Sequence, residues 1–129
     1  MRRISLLIMA AAIFLMLATG AALAATLIGT GDGELLVGTA GPDQIQGRGG
    51  DDAIRGAGGG DTLNGGGGAD VIRGGPGSDS MVGGGGRDTL FASDDHEGDI
   101  VRCGPGNDTA FLSGSGDSAD DSCERVESL

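Results

Sequence analysis

The chain is predicted to be all-β, a parallel β-roll (a β-solenoid) wound from nine-residue repeats with 18 residues per coil. Three observations carry that prediction. Gly accounts for 29 of the 129 residues, while three Phe are the only aromatics. A period of nine runs unbroken from Gly29 to Phe91. Within it, an acidic column and an aliphatic column stand two residues apart. Gly buries no side chain and is the costliest residue to order, so an ordinary enzyme-sized core is excluded.

The N-terminal segment reads as residues 1–24 of a secretory signal peptide. Arg2 and Arg3 precede an uncharged stretch whose apolar centre is Leu6 to Leu17, and Ala22-Leu23-Ala24 supplies the small-x-small site. Cleavage is expected after Ala24, leaving Ala25 first. An uncleaved anchor is the alternative, since ~20 apolar residues can span a bilayer. Either way the remainder lies outside the cytoplasm, and the expected localisation is extracellular.

The second element, residues 29–91, consists of seven units that start at Gly29, Gly38, Gly47, Gly56, Gly65, Gly74 and Gly83. The sixth position is always acidic: Glu34, Asp43, Asp52, Asp61, Asp70, Asp79 and Asp88. The eighth is always aliphatic: Leu36, Ile45, Ile54, Leu63, Ile72, Met81 and Leu90. Generic Gly-rich low complexity would not lock these columns together, and collagen would need Gly every third residue. A helix is excluded by the repeated cost of Gly, ~1 kcal/mol each. Six turn residues followed by a three-residue strand fit instead. The eighth side chain then faces inward and the seventh and ninth face solvent. Two such units close one coil, and stacked coils give two parallel sheets.

Every second repeat stacks its carboxylate over the last, making the rows Glu34-Asp52-Asp70-Asp88 and Asp43-Asp61-Asp79. A divalent cation turns that repulsion into coordination. Oxygen-only ligands with turn carbonyls suit Ca2+, whereas Mg2+ demands tighter octahedral geometry.

The units at Gly65, Gly74 and Gly83 match G-G-x-G-x-D-x-U-x at every defined position, so the chain closely resembles the RTX, or hemolysin-type, calcium-binding repeats. The resemblance implies a parallel β-roll with calcium between turns two repeats apart on one edge. It assigns about four sites, pairing Asp43 with Asp61, Asp52 with Asp70, Asp61 with Asp79, and Asp70 with Asp88. A fifth would pair Glu34 with Asp52, although Glu34 is longer than Asp and Asp32 replaces a Gly. The turn glycines at these sites are Gly47, Gly49, Gly56, Gly58, Gly65, Gly67, Gly74, Gly83 and Gly85.

The third element, residues 92–129, starts with a two-residue slip at Ala92-Ser93 and continues as degenerate repeats. Asp99, Asp108 and Asp117 keep the acidic position, and Asp108 is a further candidate ligand. The interior row fades to Ala110 and Ala119, as expected of an irregular cap on the last coil. Cys103 and Cys123 are the only cysteines, and an even count outside the cytoplasm favours a disulfide over free thiols. A thiol-based metal site would need more ligands than these provide. The Cys-Gly-Pro-Gly turn and the final Cys123-Glu124-Arg125-Val126 also resemble tails of exported bacterial repeat proteins.

Charge narrows the partners. Net charge is −11, and without Arg2 and Arg3 six Arg face 19 acidic residues, a net −13. Nucleic acid is excluded and anionic membrane disfavoured, while cations are attracted. All eight basic residues are Arg, so no phosphate-binding P-loop exists. His96 has no poised nucleophile beside it and reads as a solvated loop residue. Paired carboxylates lack the aromatic-lined pocket a glycosidase needs. Asn107-Asp108-Thr109 fits a glycosylation triplet, in a turn whose Asp is a candidate ligand.

The function expected is calcium binding by a secreted, non-enzymatic β-roll that folds on calcium. The alternative is an extracellular adhesion or surface-structural module that binds a cell-wall polysaccharide or protein, with calcium only structural. A secretion-assisting module is a third reading.

Overall fold

The computed structural model describes residues 23–92 and 97–129. The expected signal segment falls almost wholly outside the described residues, and so does His96. Among the described residues there is no helix, and none long and apolar enough to cross a membrane.

Twelve strands follow one another: β1 Thr26–Ile28, β2 Leu35–Val37, β3 Gln44–Gln46, β4 Ala53–Arg55, β5 Thr62–Gly67, β6 Val71–Arg73, β7 Ser80–Gly85, β8 Thr89–Phe91, β9 Ile100–Arg102, β10 Thr109–Leu112, β11 Ser118–Ala119 and β12 Arg125–Ser128. Odd-numbered strands form one six-stranded sheet and even-numbered strands the other, all parallel. Consecutive strands therefore lie in opposite sheets, and two repeats make one coil. The predicted β-roll is the observed fold.

The aliphatic column fills the narrow space between the sheets. Ile45, Leu63 and Met81 face Ile54, Ile72 and Leu90, each at most 2 % exposed, and Val101 and Ala110 extend the filling. Their seventh- and ninth-position neighbours point outward. On the even-numbered sheet the ninth-position column ends in a stack: Phe91 lies 4.8 Å from Phe111, and the Arg73 guanidinium caps Phe91 at 4.7 Å.

The ladder reaches beyond residues 29–91 in both directions. β1 precedes Gly29, pairs Leu27 with Ile45, and is the strand half of a further repeat. Its signal was legible, because Leu27 stands nine residues before Leu36. On the other side β9 to β12 continue both sheets. Cys103 and Cys123 form the expected disulfide, tying the turn before β10 to the segment before β12.

The slip at Ala92-Ser93 does not disturb the register. Met81 still pairs with Val101 and Leu90 with Ala110, now 20 residues apart instead of 18. The two additional residues fall between β8 and β9, where chain length is not fixed by the ladder.

Candidate metal centre

The acidic column lies at the two edges of the roll, where each turn enters its strand. Asp43, Asp52, Asp61, Asp70, Asp79, Asp88, Asp99 and Asp108 are all buried, none more than 2 % exposed. Buried carboxylates need partners, and each finds one in the backbone one coil away. The Asp43 N–H donates to Asp61 Oδ1, Asp52 to Asp70, Asp61 to Asp79 and Asp70 to Asp88, at 2.8–2.9 Å. Asp79 to Asp99 and Asp88 to Asp108 continue the ladder, with partners 20 residues apart instead of 18.

The candidate pairs are thus stacked neighbours, but carboxylate–amide hydrogen bonds link them. Oδ1 is committed to the protein, and Oδ2 decides what else the turn can hold.

Two kinds of turn treat Oδ2 differently. In the first two repeats the second residue is Thr. The Thr39 N–H donates to Asp43 Oδ2 at 2.6 Å, and the Thr39 hydroxyl lies 2.9 Å from Oδ1. Thr30 does the same for Glu34, its N–H reaching Oε2 at 2.8 Å and its hydroxyl Oε1 at 2.7 Å. Near the C-terminus the N–H groups of Ser113 and Gly114 close on Asp117 Oδ2. These are closed turns.

From the third repeat onward the second and fourth residues take positive φ, as at Gly66 (88°) and Gly68 (106°). Arg48 and Ala57 adopt this conformation despite carrying a side chain. In these open turns no hydrogen-bond donor reaches Oδ2 of Asp52, Asp61, Asp70, Asp88 or Asp108. Five buried carboxylate oxygens without a donor call for a counter-charge, since each such oxygen is costly to desolvate, and a cation would supply it.

Backbone oxygens converge on the same places. A Cβ on Gly47 would run into both Asp52 Oδ2 and the Gly65 carbonyl oxygen. Gly56 stands in the same relation to Asp61 and Gly74, Gly65 to Asp70 and Gly83, and Gly83 to Asp88 and Cys103. These four open turns therefore bring a carboxylate oxygen and the first-position carbonyl of the next coil to one cramped spot, an approach the closed turns share at Gly29 and Gly38. Gly74 also abuts Asp79 Oδ2.

The third-position glycines Gly49, Gly58, Gly67 and Gly85 do not line these spots, and a Cβ on them would meet nothing closer than 3.5 Å. The glycines that shape the open turn are those at positions two and four of G-G-x-G, which the set of turn glycines assigned to the sites left out. A Cβ there would strike a backbone carbonyl of the previous coil: Arg48 for Gly66, and Gly50 for Gly68.

Electrostatics agree with the geometry. Burial pushes the Asp61 carboxyl up to about 6, opposed by the Asp43 N–H and reinforced by the Asp43 charge. Burial likewise raises Asp88 to about 6, with the Asp70 N–H lowering it and the Asp70 and Asp108 charges adding to the rise. Asp52 and Asp70 are shifted upward for the same leading reason. An ion beside these groups would reverse the shifts.

The donor set selects the ion. Among the described residues no three His, Cys, Asp or Glu side chains group together to hold a metal. Backbone carbonyls must complete any site, and carboxylate plus carbonyl oxygen suits a hard cation of flexible coordination. Residues 28–63 and 55–90 match the family profile of the RTX calcium-binding nonapeptide repeat. The chain carries RTX repeats. Residues 28–90 belong to that family, whose repeat is a structural calcium-binding unit. No curated protein matches the chain. Calcium fits the open RTX turns, where Asp52, Asp61, Asp70 and Asp88 would hold it together with the first-position carbonyls. In the closed turns the carbonyls of Gly47 and Gly56 approach Glu34 Oε2 and Asp43 Oδ2 in the same way, but those carboxylate oxygens already accept the N–H of Thr30 and Thr39.

Proposed function

We propose that this protein is an exported RTX β-roll that folds when calcium enters its open turns and acts without enzymatic chemistry. The observation that carries the reading is the set of buried Oδ2 oxygens that no donor reaches. The chain has 19 acidic residues against eight basic ones, and burying such a ladder without cations is unfavourable. Calcium supplies the counter-charge and ties successive coils together, so binding free energy becomes folding free energy.

Four sites follow from the open turns whose converging oxygens are both on view, at Asp52, Asp61, Asp70 and Asp88. The number equals that expected from the repeats, but the membership differs. The Asp43–Asp61 site gives way to one at Asp88 and Asp108, because Thr39 already closes on Asp43. Export is supported by the N-terminal sequence pattern and by the disulfide, which favours an oxidising compartment.

Far-UV circular dichroism of the processed protein in chelator and in millimolar calcium tests folding on calcium. The β signal is expected only with calcium, and an equal signal in both overturns the proposal. Calorimetric titration gives the stoichiometry, with a large negative ΔCp expected if folding accompanies binding.

A further inference from the structure

Ala25 occupies a rung of the acidic ladder without carrying an acid. Its backbone nitrogen donates to Asp43 Oδ1 at 2.7 Å, as the Asp43 nitrogen does to Asp61 and the Asp61 nitrogen to Asp79. Its carbonyl accepts the Gln44 N–H at 2.8 Å, the same bond that joins every lower coil. Ala25 is 8 % exposed and Asp43 2 %. The position is thus built into the roll.

The bond just before this nitrogen is the one where Ala22-Leu23-Ala24 predicts hydrolysis. Water adds across the Ala24–Ala25 amide. Ala24 departs with a new carboxylate, and Ala25 keeps the nitrogen, protonated at neutral pH as an α-ammonium. A neutral N–H facing Asp43 becomes a cation at the same place.

A second contact changes in the same direction. The Thr39 hydroxyl donates to the Leu23 carbonyl at 2.7 Å and also lies 2.9 Å from Asp43 Oδ1. It has one proton for two acceptors. Loss of Leu23 leaves that proton to Asp43.

We propose that hydrolysis after Ala24, by a protease of the signal-peptidase class, completes the N-terminal rung: the new α-ammonium of Ala25 neutralises Asp43 through Oδ1, supplying the counter-charge that calcium would give the open turns at Oδ2. Processing then does more than release the chain, because it installs a built-in cation at the head of one acidic edge. The inference rests on the cleavage reading and is independent of calcium stoichiometry.

The test uses protein exported from cells that express the full chain. Intact mass should place the N-terminus at Ala25, and a terminus elsewhere overturns the proposal. All eight basic residues are Arg, so the α-amine is the only amine, and acetylation in urea followed by refolding modifies it alone. The acetyl form keeps an N–H but loses the charge. In saturating calcium at pH 7 its Tm should fall by roughly 4–8 °C, as expected for about 1 kcal/mol in a domain of this size. In Asp43→Asn the acetylation effect should vanish. An unchanged Tm on acetylation, or an equal drop in Asp43→Asn, overturns the proposal. The acetylation arm needs no substitution and decides the matter even if the variant fails to fold. Calcium stoichiometry should be the same before and after acetylation, which separates failure here from failure of the calcium reading.

Discussion

The turns of repeats one and two and those of repeats three onward share an acid at position six and an aliphatic residue at position eight, yet they handle the acid in opposite ways. Thr30 and Thr39 fold an N–H and a hydroxyl onto it, and the carboxylate is satisfied from within its own turn. In the open turns the second residue swings to positive φ and leaves Oδ2 of residues such as Asp61 and Asp70 with no donor. Near the far end Asp117 is closed again, by Ser113 and Gly114. Closed turns thus flank the open ones. The lesson is that one conserved-looking acid column contains two electrostatic classes, and the residue four positions earlier selects between them.

The largest effect should come from filling an open turn. Gly66→Ala places a methyl group against the Arg48 carbonyl at positive φ, and on the order of 3 kcal/mol should be lost. Gly67→Ala, one residue on, meets only the same carbonyl at 3.9 Å and should stay within about 1 kcal/mol. Thermal melts in saturating calcium check the contrast.

Next in size is removal of an acid from each class. Asp70→Asn should lower the calcium stoichiometry by at least one in calorimetry, whereas Asp43→Asn should leave it unchanged. Equal losses from both would break the distinction between turns.

A subtler change should interconvert the classes. Thr39→Gly removes the hydroxyl from Asp43 and frees position two to take positive φ. One additional calcium should bind, and the metal-free protein should lose about 1 kcal/mol from the missing hydrogen bond.

The smallest effect concerns protons. Asp61 and Asp88 titrate near 6 in the roll against an ordinary 3.8. The folded form therefore binds protons more tightly, and the resulting stabilisation is full below 3.8 and lost as pH rises through about 6. Without calcium, whatever folded fraction exists should grow as pH falls from 7 to 4. With calcium the trend should reverse, because protons compete with the ion for the same oxygens. Circular dichroism along both pH series checks the sign.

Much of the architecture was legible. The nine-residue period identified the coil, the eighth position identified the filling, and the even cysteine count anticipated the bond between Cys103 and Cys123. Even the slip after Phe91 was visible as a slip. β1 was passed over because only its strand half precedes Gly29, without a Gly-rich turn to announce it. The split between Asp43 and Asp61 was harder to see, since both stand at position six and follow the same rule.

The amino-acid pattern by itself determined the roll, its two sheets and the column of acids, because period, side-chain alternation and Gly placement are local properties of the chain. Only the tertiary structure decided which acids keep an oxygen free for an ion. That choice depends on the direction of the position-two N–H, which points at the acid from Thr30 and Thr39 but not from Arg48 or Ala57, and a backbone direction is set by how the turn packs on its neighbouring coils.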